Sequence, residues 1–195
     1  LSCLAQTLLP LARNSEESAL EDLRNVLNCF PELYSQSYID IARRKFGLIS
    51  KDKDDLELVE DWFKILAHEK DDFTLAFRRL SDIADETNRV GCVGDLFEFS
   101  EQYQDWIVQW KTRCSKDDVN PGERQTLMYS VNPLYIPRNH LVENVIDVAT
   151  KNGDYGPFNT LVEVLGNPYV FQFGQEYFAK PPNDNEIVSR TFCGT

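Results

Sequence analysis

NPLYIPRNHLVENVIDVATKNGDY, residues 132–155, carries the two signals on which the reading of this chain turns. The first half is rich in polar chemistry: Arg138, Asn139 and His140 follow directly on Pro137. The second half is periodic, with Leu141, Val145, Ile146, Val148 and Ala149 recurring at the helical interval. Pro133 and Pro137 push Asn132 and Ile136 out of the α region. Pro137 then suits the first position of a helix. Gly153 stands where a left-handed cap belongs, and Asp154 can cap the next helix. Asn139 can satisfy free backbone N–H groups in the first turn. Arg138 gains nothing from the dipole at a helix start, so it should hold a specific carboxylate or carbonyl partner. These assignments predict a loop that places a helix, not a reactive centre.

Working outward, the same period governs the rest of the chain. A helix is expected over 15–29, with Leu20, Leu23, Val26 and Leu27 on one face. A second should follow over 32–46, with Gly47 as its left-handed cap. Asp54 and Glu57 read as a capping box for a helix that faces inward through Leu58, Trp62 and Leu66. Asp71 or Asp72 should open another, packed through Phe73, Phe77 and Leu80. Leu96, Phe99, Tyr103, Trp106 and Trp110 predict one long helix over 95–113. Asn120-Pro121-Gly122-Glu123 is a helix start, with an N-cap, Pro at the first position and Glu at the third. A further helix, 155–165, should stop at Gly166-Asn167-Pro168. Pro181-Pro182 and Asn183-Asp184-Asn185 suggest an extended surface segment. The expected fold class is all-α: one irregular multi-helix domain over 1–195, with an extended tail over 168–195. Its core should include Leu23, Leu27, Trp62, Phe77, Phe99, Trp106, Val145 and Leu161.

Composition narrows the function classes. The 195 residues carry a formal net charge of −12, and their longest basic run is Arg43-Arg44-Lys45 at an expected helix end. Nucleic-acid and anionic-membrane partners are therefore disfavoured. The five cysteines, Cys3, Cys29, Cys92, Cys114 and Cys193, form no CxxC or CxxH pair, which argues against a zinc framework or a secreted disulfide scaffold. A reducing compartment follows, cytoplasmic, or mitochondrial for a eukaryotic source. Leu1, Leu4, Leu8 and Leu11 show helical spacing from the first residue, which reads as a chain beginning inside a domain. Gly91-Cys92-Val93-Gly94 lacks the Lys-Ser/Thr of a phosphate-binding loop. His68 and His140 belong to no HxxxH motif, so no metal site is expected. The acid pairs Asp54-Asp55, Asp71-Asp72 and Asp117-Asp118 read as helix caps or linkers rather than catalytic carboxylates.

The order of motifs adds what spacing alone does not. Asn132-Pro133-x-Tyr135-Ile136-x-Arg138-Asn139, Gly153-Asp154-Tyr155, Asn167-Pro168-Tyr169, Pro181-Pro182 and a Cys third from the end occur in one chain. With LAQTLLPL, ALEDLRNVLNCFPELY and RRKFGL, they resemble the C-terminal region of the selenoprotein O family. The resemblance implies a protein-kinase-like fold of which this chain is the helical C-terminal part. It implies a whole protein that uses Mg and ATP to transfer AMP to Ser, Thr or Tyr hydroxyls of protein substrates. It places the ATP-binding and metal-binding residues in an N-terminal catalytic domain that would be the chain's partner. No catalytic, cofactor or metal residue then falls within 1–195. Family members carry Cys or selenocysteine where Cys193 stands, which makes Cys193 a candidate redox thiol. Two other functions compete: an independent helical interaction module without activity, and a thiol enzyme using one of the cysteines.

Overall fold

Pro31 does not end a helix in this protein. In the computed structural model, which describes residues 1–12, 15–87 and 93–188, α1 (Ser2–Leu8) and a 3-10 turn (Leu9–Leu11) precede α2, a single helix over Glu16–Phe46. The two expected helices are one. Proline removes one backbone donor at a cost of roughly 3 kcal/mol, and no glycine stands in the chain before Gly47 to stop the remaining turns. After it come α3 (Asp55–Glu69), α4 (Phe73–Asp82), α5 (Gln104–Cys114), α6 (Pro121–Tyr129), α7 (Asn139–Asn152) and α8 (Gly156–Leu165). The chain divides into two compact units, Leu1–Ala42 and Arg43–Thr195.

Among the described residues there is no strand. The expectation of a protein-kinase-like fold is therefore corrected. Its helical character stands, but no sheet marks such a fold, because the apolar periods here are helical and a strand would need alternation. The extended tail is corrected as well. Its described part turns through two 3-10 segments, Glu176–Ala179 and Asp184–Glu186. Asn183 and Glu186 close the second turn with a reciprocal capping box.

In the second unit α3 packs on α5, α4 on α6 and α7 on α8. Its centre is aromatic. Trp62 is fully buried, and its ring centroid lies 4.6 Å from Trp106, 5.2 Å from Tyr103, 5.5 Å from Phe77 and 5.7 Å from Phe46. The indole N–H groups of Trp106 and Trp110 donate to the carbonyls of Leu58 and Phe46, at 2.8 and 2.9 Å. A second cluster joins Leu75, Val93, Leu134, Tyr135, Val164 and Ala179. A third joins Leu141, Val145 and Leu161. Of the expected core, Trp62, Phe77, Trp106, Val145 and Leu161 are buried, whereas Leu23, Leu27 and Phe99 are half-buried.

The long helix expected over 95–113 is only α5, preceded by a 3-10 turn at Glu101–Tyr103. Leu96 and Phe97 N–H both return to the Val93 carbonyl, and Ser100 is extended. Polar anchors outcompete helix there: Asp82 takes the Val93 N–H at 2.8 Å, and Arg79 takes the Glu98 carboxylate at 3.2 Å.

Gly47 and Gly153 have the left-handed backbone their sequence positions predict, both at φ 66°. Their surroundings differ. A Cβ on Gly47 would lie 2.7 Å from Met128 Sδ and 2.9 Å from Arg124 Cγ, whereas one on Gly153 would meet nothing within 4 Å. Gly153→Ala should therefore cost only the left-handed penalty of about 1–2 kcal/mol. Gly47→Ala should cost clearly more, because the Met128 and Arg124 side chains of α6 must also shift. Equal losses in chemical denaturation would show that the approach of α6 to Gly47 is unimportant.

Candidate functional site

The 132–138 loop is a junction of buried polar groups. Asn132 is fully buried; its amide donates to the Lys45 carbonyl at 2.8 Å and to Ser81 Oγ at 3.1 Å. Its own carbonyl accepts from Arg78, which also donates to the Tyr169 carbonyl at 3.0 Å and lies 3.8 Å above the Tyr129 ring. Pro133, half-buried, holds the turn that follows. Leu134 and Tyr135 N–H both donate to the Pro168 carbonyl, and the Tyr135 hydroxyl accepts from Gln172 N–H at 3.1 Å. The loop thus straps the segment after α8 to the helices before it.

Arg138 has both kinds of partner that its position demanded. Its guanidinium donates to both oxygens of Asp72, at 2.5 and 3.1 Å, and to the Ala179 carbonyl at 3.0 Å. Burial would raise the Asp72 carboxyl, but Arg138 and the Leu75 N–H hold it below the ordinary range. Asp72 also caps α4 through that N–H. One carboxylate therefore joins the start of α4, the start of α7 and the C-terminal segment. The helix start itself is corrected: Pro137 lies outside α7, Arg138 is the N-cap, and Asn139 is the exposed first residue. The physical reason is that the Asp72 and Ala179 bonds fix Arg138 in an extended conformation, φ −64°, ψ 137°. His140 is buried, and burial lowers its pKa, so it is a neutral packing residue. Gly153 and Asp154 lie exposed at the α7–α8 turn, where Asp154 accepts from Gly156 N–H at 2.8 Å.

Arg138→Lys should destabilise the protein by about 1.5–3 kcal/mol, since an ammonium cannot reproduce the paired bonds. Thermal melting measures this, and an unchanged melting temperature would show the junction is dispensable.

A second polar centre was not anticipated. Asp55, fully buried, accepts from Arg43 at 2.6 Å and Arg113 at 2.7 Å. Arg113 continues to Asp117 at 3.1 Å and to the Ser50 carbonyl at 2.7 Å. Asp117 takes the N–H groups of Ile49 and Ser50 and the guanidinium of Arg124. Arg124 also donates to the carbonyls of Gly47 and Cys114. The chain of charges pins the 47–55 loop to α5 and α6. It also explains why Asp54 makes no side-chain cap bond, contrary to the expected capping box: the neighbouring Asp55 is drawn into the arginines, and its Oδ2 accepts the Asp52 N–H. The signal was present in the spacing. Asp55 precedes Leu58, Val59 and Trp62 on the inward face of α3, and Arg113 follows Trp106 and Trp110 on that of α5.

The carboxylates of these centres are already occupied. Among the described residues no three His, Cys, Asp or Glu side chains group to hold a metal. Asp55, Asp72 and Asp117 instead have arginine and backbone N–H donors, so neither Mg nor a nucleotide's phosphates fit them. Asp82, which takes Val93 N–H and the Tyr129 hydroxyl, is held above the ordinary carboxylate range by its burial. Cys114 borders a cavity of about 440 Å³, but burial pushes its thiol up to about 11, the opposite of a nucleophilic cysteine. Cys3 and Cys29 are exposed. Cys193, the redox candidate, lies outside the described residues, as does Cys92.

A family described as "Protein adenylyltransferase SelO" matches residues 1–166. The chain belongs to the SelO family. Its curated relatives include proteins named "Protein nucleotidyltransferase YdiU". That of Rhodopseudomonas palustris strain BisB5 is 39% identical over the whole chain, and the match covers 40% of the relative. Those of Rhizobium leguminosarum bv. trifolii and Bradyrhizobium diazoefficiens are each 38% identical over the whole chain, with 39% and 40% of the relative covered. The SelO-family chain thus spans about two-fifths of the length of these relatives. No helix among its described residues is long and apolar enough to cross a membrane.

Proposed function

We propose that this chain is the helical, non-catalytic C-terminal part of a protein adenylyltransferase. The whole protein would transfer AMP from Mg-bound ATP to Ser, Thr or Tyr hydroxyls of other proteins. The N-terminal remainder of the same polypeptide would supply the nucleotide and metal residues. The observation that carries the reading is a family match along most of the chain, on residues where the buried Asp55 and the half-buried Asp72 are already occupied by arginines. Such a part would contribute by holding its partner domain in place. Cys193 enters the same reading as a redox-sensitive thiol of the whole protein.

Labelled ATP with magnesium tests this. The whole protein should label itself or a protein target, and the 195-residue chain alone should label nothing. Transfer by the chain alone, abolished by substituting one of its own residues, would overturn the reading.

A further inference from the structure

The least explained surface of the molecule is on α2. At 100° per residue, Val26, Phe30, Leu33, Tyr34, Tyr38 and Ile41 fall on one stripe, while Glu21 and Glu32 fall opposite. The stripe faces water: Phe30 is 45%, Leu33 64% and Tyr34 60% exposed. It is ordered as a surface, with the Phe30 and Tyr34 rings 5.9 Å apart and those of Tyr34 and Tyr38 6.4 Å apart. Among the described apolar residues of the unit Leu1–Ala42, only Ala19 and Ala42 are buried. A long amphipathic helix with an uncovered apolar stripe is marginal in water and gains its stability from packing that stripe.

We infer that this stripe is an intramolecular docking surface, covered by the part of the SelO-family polypeptide that these 195 residues do not span. The inference rests on the reading of the chain as part of a longer protein. Two observations choose this occupant over a second copy. The stripe lies inside the family match, so it belongs to the shared fold. More than half the length of the curated relatives lies outside the matched region. A covalently linked segment acts at a millimolar effective concentration and outcompetes a free copy at ordinary protein concentrations. Aromatic rings with polar tips suit an interface that is apolar at its centre and wet at its rim.

Hydroxyl-radical labelling of the whole protein, at a concentration where light scattering gives a monomer, reads the surface directly. Phe30, Leu33, Tyr34 and Tyr38 should lose labelling relative to the same protein unfolded in denaturant. Labelling of the native monomer as strong as in the unfolded protein overturns the inference. So does protection that appears only when the mass doubles, since a second copy would then be the occupant. Leu33→Glu in the whole protein should lower the melting temperature by several degrees, while Glu32→Gln on the opposite face should not. Equal melting of both variants overturns it too. AMP transfer assayed on the same wild-type sample separates the two ideas. Transfer with an unprotected stripe sinks the docking surface alone, and protection without transfer sinks the enzymatic reading alone.

Discussion

Asp55→Ala should cost about 3–5 kcal/mol, because it strips the carboxylate from two guanidiniums, one of them buried and left with Asp117 alone as its carboxylate partner. The melting temperature should fall by on the order of 10 °C, and a loss under about 1 kcal/mol would show that the charge chain contributes little. Lys116→Ala is the contrast: its partner Asp52 sits in a solvent-exposed pair, and such pairs matter little. The pH dependence has a fixed sign. Burial raises the Asp55 carboxyl, but hydrogen bonds from Arg113 and Arg43 bring it below its ordinary 3.8. A depressed folded pKa gives stability that is fully present above the unfolded value and is lost as pH falls through the folded one. The gap in melting temperature between wild type and Asp55→Asn should therefore be full at pH 7 and shrink as pH falls below about 4. A gap that stays constant down to the acid-unfolding limit would show that Asp55 acts through packing alone.

Trp62→Ala should cost about 3–5 kcal/mol as well, for a different reason. The side chain is fully buried and touches the rings of Phe46, Phe77, Phe99, Tyr103 and Trp106. Five rigid rings cannot collapse into the space, so the cavity persists. Trp62→Phe should recover much of the loss. Calorimetry of the three proteins measures this, and near-wild-type melting of the alanine variant would show that the aromatic centre is not the core.

The two losses differ in how far the sequence announced them. Trp62, Phe77 and Trp106 stand on helical stripes, and repetition at 3.6 residues implies an inward face before any partner is known. Asp55 and Arg113 stand on the same stripes, yet Asp55 reads as a helix cap and Arg113 only as the end of an expected helix. A carboxylate can be buried only where its counter-charge arrives, and Arg113 arrives from 58 residues away. Arg138 lies between these cases. Its place at a helix start was unfavourable enough to require a partner, but nothing local could name Asp72, 66 residues before it, or Ala179, 41 after it.

Family membership and the helical period were determined by the sequence alone, because ordered motifs and local spacing need no third dimension. So were the stops at Gly47 and Gly153, where only glycine adopts the left-handed turn without penalty. The tertiary structure decided the rest. It showed α2 running through Pro31, where the lost bond is small against a long helix. It cut the 95–113 helix short, where Asp82 and Arg79 draw off the backbone and side-chain groups of residues 93–98. It replaced the extended tail with turns tied to the 132–138 loop. The last two outcomes depend on hydrogen bonds and ion pairs between residues apart in the chain, and their energies enter only once the fold has brought the partners together.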